Sequence, residues 1–482
     1  MYFEEAIFES PELLLCLTVL LSIYLLRKVY VTFKSHGYLA FIHPPVIATI
    51  SHFLVGYVVP NVMYYLDTDW SHMTSYLGTD AQVYTWLNYA TLLVSLSAVA
   101  MWHGYDGAIG LSMAHYSRKF FSRMTFLKTQ DTVGLFGITT LLAIGFAAPL
   151  IRINLGIFGF FYTQQTVDDS INYRQWLGLL DDIGYLGLLL VSLSVFGKRL
   201  PNSHAADFIL VASLSFYVVI GFLSGVKSQM VIPFIISGVA CYVMTHRIPK
   251  TIIITGVVML IASYPFVTPL RRRCLTDSEI NIRSVSSVVS TGVSSFFDTI
   301  SQDGYYTKED DFSVLGLISR QDLIIFTAIS MKFAENELSA ENQSMFRNNI
   351  LLSVPIAIVP RFLWKTKPLN NTSTWYNINV LGAPSDSKTA VGMGPASYLF
   401  FAGHIAAVFA GFWIMGVIQK IISFTFARGQ IGSWVVYFGM LGPLTSMNSD
   451  VGAAYAGLIR VFPCLLLAQF IMSFATVRSS RT

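Results

Sequence analysis

Charge is scarce in this sequence. Only 12% of its 482 residues are Asp, Glu, Lys or Arg, while 54% are hydrophobic; soluble domains carry about a quarter charged residues. That shortage argues against a soluble globular chain and for a polytopic membrane protein. Cysteine is also sparse: of four, Cys16, Cys241 and Cys464 lie in apolar runs and only Cys274 lies in polar sequence. No disulfide framework can be read from them. Missing too are an HExxH pair, a nucleophile-elbow serine, a phosphate-cradling glycine loop and carboxylates at metal-ligand spacing. The pairs Asp168-Asp169 and Asp181-Asp182 have no ligand partners at suitable spacing. Metal-independent chemistry without a cofactor is therefore expected. No basic cluster sits on a soluble fold, so nucleic acid is not an expected partner. The start, MYFEEAIFESPE, lacks a basic n-region, and the first apolar run is expected to be retained as a helix.

Apolar runs are what the chain has in abundance. Eleven are long enough to span, near 11–27, 38–60, 83–102, 132–150, 181–197, 206–225, 229–245, 251–269, 396–419, 430–447 and 455–476. Helices are the default for them, because an unpaired backbone is prohibitive in hydrocarbon. The expected fold is an all-α polytopic membrane protein with about eleven transmembrane helices. Eight lie in 1–270, a large extracytoplasmic loop with short amphipathic helices covers 271–395, and three helices lie in 396–482. Lysine and arginine in the connections set the orientation. Arg27, Lys28 and Lys34; Arg118, Lys119, Arg123 and Lys128; Lys198 and Arg199; Arg247 and Lys250; Lys420 and Arg428; and Arg478 and Arg481 all fall on one side of this count. That side is read as cytoplasmic, with the N-terminus outside and the C-terminus inside. Segment 151–180 reads as an interfacial piece, 221–230 as a tight hairpin with Lys227 at its tip, and 321–333 as a short amphipathic helix. Residues 350–364 contain Pro355 and Pro360 and read as a re-entrant or surface piece.

The long loop falls outside, yet it holds twelve lysines and arginines. Arg152, Lys227, Arg271, Arg272, Arg273 and Arg460 map to the outer ends of helices, and Arg320, Arg361, Lys365 and Lys367 come from the loop. Single cations at such positions commonly snorkel to lipid phosphates. Their concentration at one level instead points to an anion site, because guanidinium forks suit phosphate oxygens and paired cations neutralise a diphosphate leaving group. Asp322, beside Arg320, is the candidate acid–base group, although an Arg–Asp pair at a helix start is also ordinary capping. His404 lies one turn into the ninth run, where packing is the commoner role.

The block VPRFLWKTKPLNNTSTWYNINVLGAPSDSKTAVGMGPASYLFFAGH, residues 359–404, resembles the Wzy-type polymerases of lipid-linked oligosaccharide repeats. Trp364, Lys367 and Pro368 match that family's tryptophan–proline–basic–proline run, with Lys365 where the family has a proline. Segments 153–195 and 221–234 are similar to its aromatic surface segment and its hairpin, with Lys227 in place of the usual arginine. Gln321 separates Arg320 from Asp322, which the family shows as adjacent. The resemblance covers roughly 150–410. It implies a GT-C-like glycosyltransferase of the bacterial inner membrane, moving a growing glycan from undecaprenyl diphosphate onto a lipid-linked repeat. Arg361, Arg320 and Arg271–Arg273 would then bind or activate the diphosphate, Lys227 and Arg460 assist, and Asp322 act as base. Trp364, Trp375 and Tyr376 would stack on sugars. The implied partners are the lipid-linked oligosaccharide, membrane lipids, and a chain-length regulator and flippase of the same pathway. An O-antigen ligase and a transporter without chemistry remain open readings.

Overall fold

The computed structural model describes residues 7–121, 134–155, 157–158, 164–198, 203–224, 227–261, 290–291, 293–294, 321–359, 363–364, 366, 372–387, 389–427, 431–445 and 451–479. Among them the regular elements are helices. In chain order these are α1 (Pro11–His36), α2 (Pro44–Leu66), α3 (Asp80–Asp106), α4 (Ala108–Phe121), α5 (Leu135–Asn154), α6 (Gln164–Phe196), α7 (Ser203–Ser224) and α8 (Lys227–Thr245). There follow α9 (Lys250–Ile261), α10 (Leu323–Asn336), α11 (Ala340–Leu351), α12 (Ser353–Ile358), α13 (Thr372–Asn379), α14 (Gly394–Phe426), α15 (Ile431–Thr445) and α16 (Val451–Ser479). Among the described residues seven helices are long and apolar enough to cross a membrane: Pro11–Ile42, Pro44–Leu66, Asp80–Asp106, Leu135–Asn154, Leu177–Phe196, His204–Ser224 and Gly394–Phe426. The chain is an all-α, multi-pass membrane protein.

Local chemistry accounts for the boundaries. Ser10 caps α1 by accepting a hydrogen bond from the Leu13 amide at 3.2 Å, with Pro11 at the first helical position. Gly37, at φ 58°, ends it. Residues Gly37–Ile42 then form a 3-10 turn, so the second span begins at Pro44 instead of 38. Within α2, residues Thr49–Val58 wind as a π-helix ahead of Pro60. The wider turn relieves the clash between the proline ring and the carbonyl four residues back. A Thr79–Gln82 capping box starts α3.

The chain divides into two compact units. Unit 1 comprises Met1–Arg123, Phe312–Arg428 and Met440–Ile459. Here α3 and α14 lie backbone against backbone. A methyl group on Gly104 would sit 2.1 Å from the Trp413 carbonyl oxygen, and one on Gly416 would sit 2.0 Å from that of Met101. Glycine at both positions is what permits the crossing, as in close-packed membrane helices generally. Against this pair packs α10. It is the short helix expected at 321–333, and it is deeply packed, with Leu323, Ile324, Ile325, Ala328, Ile329 and Met331 all buried. An apolar helix without a polar face has to go inside. Phe346, Trp375, Tyr398 and Phe401 close over one end of it as an edge-to-face cluster.

Unit 2 comprises Met124–Asp311, Gly429–Gly439 and Arg460–Thr482. Its α5 and α6 also meet at glycines, since a methyl on Gly145 would sit 2.1 Å from the Gly184 Cα. The second half of the expected interfacial segment 151–180 belongs to α6, a single 33-residue helix from Gln164. Helix α7 ends at Ser224 and α8 begins at Lys227, and Gly221 lies against Met230, while the tip of the hairpin expected at 221–230 lies outside the described residues.

Candidate functional site

In unit 1, Asp322 sits at the start of α10 and is 2% exposed. One carboxylate oxygen accepts the Ile325 amide at 3.2 Å, which makes it the helix N-cap. The other accepts the hydroxyl of Tyr64, from the last turn of α2, at 2.5 Å. Ser71 and Trp70 stand against that hydroxyl, and the Trp70 ring meets the Tyr64 ring edge-on at 5.3 Å. Gly56 lets α2 approach: a methyl there would lie 2.9 Å from Leu323 Cδ1 and 3.3 Å from the Gln321 carbonyl. Burial raises the Asp322 pKa to about 7, against the lowering pull of Tyr64 and of the Ile325 and Ile324 amides. A carboxyl poised there can take or give a proton near neutrality.

The surroundings are tied to this centre by hydrogen bonds. Lys332 of α10 donates to the carbonyls of Tyr76 and Leu77 at 2.9 and 3.1 Å, holding the segment after α2. The Tyr376 hydroxyl donates to the Phe326 carbonyl at 3.1 Å, and Tyr376 is fully buried. It therefore packs and presents no free ring face, while Trp375 is half-buried. Further along, α14 breaks: Gly403 and His404 leave helical geometry, and His404 has φ 53° and ψ −153°. The break frees carbonyls of the preceding turn, and Arg347 of α11 donates to that of Ala402 at 3.5 Å. The exposed His404 ring meets Phe400 edge-on at 5.3 Å.

Asp322 opens α10, whereas Tyr376 and Trp375 pack against its later turns, at Phe326 and Phe333, and His404 marks the break in α14. Trp364 is half-buried. In unit 2, Arg152 forms an ion pair with Asp181, which satisfies a cation read from sequence as part of an anion site. Lys227 opens α8 and Arg460 lies in α16. Arg271, Arg272, Arg273, Arg320, Arg361, Lys365 and Lys367 lie outside the described residues. Among the described residues no three His, Cys, Asp or Glu side chains are grouped to hold a metal. Sequence reasoning passes over Tyr64, which registers only as an aromatic flanking an apolar run. The available signal is helical spacing of polar groups from the end of that run outward, at Tyr57, Asn61 and Tyr64.

An all-helical, multi-pass membrane architecture with a near-neutral carboxyl at the start of a buried, non-spanning helix is the class this structure defines. Residues 161–449 match the family described as "Domain of unknown function (DUF8712)", and the chain belongs to that family. No curated protein and no solved structure matches the chain.

Proposed function

We propose that the protein is a glycan polymerase of the bacterial inner membrane. It transfers a growing chain from undecaprenyl diphosphate onto a lipid-linked repeat at the outer face, across eleven spans with the N-terminus outside. The observation that carries this reading is Asp322. It is an acid–base group near neutrality, held by Tyr64 and α10, in the same long segment that resembles the Wzy-type polymerases. In this reading Asp322 takes the acceptor hydroxyl proton while the loop cations Arg320, Arg361 and Arg271–Arg273 stabilise the departing diphosphate. A second reading, a carrier of lipid-linked glycans without chemistry, draws on the break in α14, because discontinuous helices line many transport sites.

Complementation of a polymerase-deficient strain with the cognate repeat, read as glycan ladders, tests the proposal. Restored long chains support polymerisation, transfer to lipid A-core alone identifies a ligase, and neither leaves the carrier reading. Arg361→Ala is expected to abolish elongation while membrane insertion survives. Full elongation in that variant would remove Arg361 from the site.

A further inference from the structure

The second span and the residue before it hold a row of polar groups, of which the transfer reading uses only Tyr64, the partner of Asp322. His43, Thr49, His52, Tyr57, Asn61 and Tyr64 are all buried, none more than 8% exposed. From Pro44 to Leu66 the span has 23 residues. At about 1.5 Å per residue it is long enough for a hydrocarbon core of about 30 Å. The row therefore runs from one end of the bundle to the other.

Both ends of the row are anchored. His43 Nδ1 and the Tyr105 hydroxyl are 2.7 Å apart, and the His36 ring and the Lys420 ammonium stand close by. At the opposite end the Tyr64 hydroxyl donates to Asp322. Two further members have partners of the kind that glue membrane helices together. The Trp102 indole donates to Thr49 at 3.1 Å, and the Asn61 amide donates to Thr91 at 2.9 Å.

Helix glue does not account for the middle. His52 is 1% exposed and neither of its ring nitrogens has a partner. Its ring meets Tyr57 edge-on at 5.0 Å. The Tyr57 hydroxyl faces Thr327 outside hydrogen-bond geometry, and the Asn61 side-chain oxygen is also unpartnered. Thr327 is in turn bonded to Ser397 at 3.2 Å, so the polar strip continues across α10 to α14. No charged side chain among the described residues bears on the His52 ring. An unpaired buried polar group is destabilising, and these four atoms lie within ten residues of one helix. A histidine serving only as packing would be bonded, as His43 is. The π-helical winding of Thr49–Val58 is what turns His52 inward beside Tyr57, and such windings recur at functional sites.

We propose that this row is a proton path through unit 1, with His52 as the relay in mid-span and Asp322 as the group that exchanges protons at one end. Imidazole suits the task because one nitrogen can accept a proton while the other releases one. Water molecules bridge the steps that side chains do not span directly. Each proton entering at one end is matched by one leaving at the other, so the path carries charge and a compensating ion current accompanies it. The path shares Asp322 with the transfer reading but runs through His52, which that reading does not use, so the two can fail separately.

The full chain is reconstituted into phosphatidylcholine–phosphatidylglycerol vesicles loaded with a pH-sensitive dye. Potassium with valinomycin on both sides clamps the potential, and the external pH is stepped. Wild type is expected to equilibrate about ten-fold faster than protein-free vesicles, and His52→Phe to fall back to the protein-free rate. His52→Gln, which keeps a polar side chain but carries no proton across, is expected to do the same and serves if the phenylalanine variant does not fold. Tyr57→Phe, which removes one hydroxyl, should give an intermediate rate. A wild-type rate equal to that of protein-free vesicles overturns the proposal, as does a wild-type rate in either folded His52 variant.

Discussion

At the scale of single residues, Asp322 gives the sharpest expectation because burial opposes its charge. Its folded-state pKa, about 7, lies above the ordinary 3.8. The protonated carboxyl therefore favours the folded state. That contribution is fully present below about pH 4 and is lost as pH rises through about 7. Asp322→Asn cannot titrate, so wild type should lose stability relative to the variant across this window, by up to roughly 4 kcal/mol. Thermal denaturation of both proteins in detergent at several pH values measures the gap. A gap independent of pH would show that the carboxyl is solvated. Tyr64→Phe removes the 2.5 Å hydrogen bond to the same carboxyl. Losing that bond leaves the ionised form less supported, so the apparent pKa of Asp322 should rise further. Asp322 stands out in the sequence as a candidate acid–base group from its place beside Arg320. Its partner does not, because Tyr64 lies 258 residues away and nothing local signals the contact.

At the scale of elements, the α3–α14 crossing depends on two missing side chains. Gly416→Val would drive a side chain into the Met101 carbonyl, 2.0 Å from even the first added carbon. Backbone cannot yield as a flexible side chain can, and a loss of roughly 3 kcal/mol or more is expected, read as a lower melting temperature and poor membrane yield. The break in α14 predicts the opposite sign. His404 holds a positive φ at 53° with ψ −153°, a region that glycine occupies freely. His404→Gly should raise stability by about 1 kcal/mol, and lower activity alongside higher stability would identify the strain as functional. The spans themselves are readable because hydrocarbon permits little but apolar helices. Their edges shift where local chemistry intervenes: Pro44 and the preceding 3-10 turn delay α2, and α6 runs on through a polar stretch that hydropathy assigns to the interface. The sequence window 321–333 marks α10 as a helix but does not show its surroundings, because aromatic residues that pack against it lie far along the chain.

For the whole molecule, the alternation of lysine and arginine among the connections is the one global rule the sequence states outright. It predicts that a cysteine introduced at Lys34 is labelled only from the cytoplasm. One introduced at Tyr76, in the connection after α2, should be labelled only from outside. Impermeant thiol labelling of intact cells against inverted vesicles reads both, and labelling of the two from the same side would refute the assigned orientation. Unit composition is less visible in the sequence, because hydropathy orders segments along the chain and says nothing of which pack together. Residues 271–395 read as one loop, and of its described helices α10, α11 and α13 join the first four helices in unit 1.

The glycines at the α3–α14 contact have a mechanical consequence. With carbonyls pressed against neighbouring Cα positions at Gly104 and Gly416, the length of α14 beyond the break behaves as a keel, fastened to α3 and unable to roll or slide. The nine-residue stub from Gly394 to Ala402 is set off at Gly403, yet it is buried throughout and held by Arg347 at its end and by Ser397 against α10. The chain therefore changes course at Gly403 with both arms of the bend made fast, the longer to α3 and the shorter to α10 and α11.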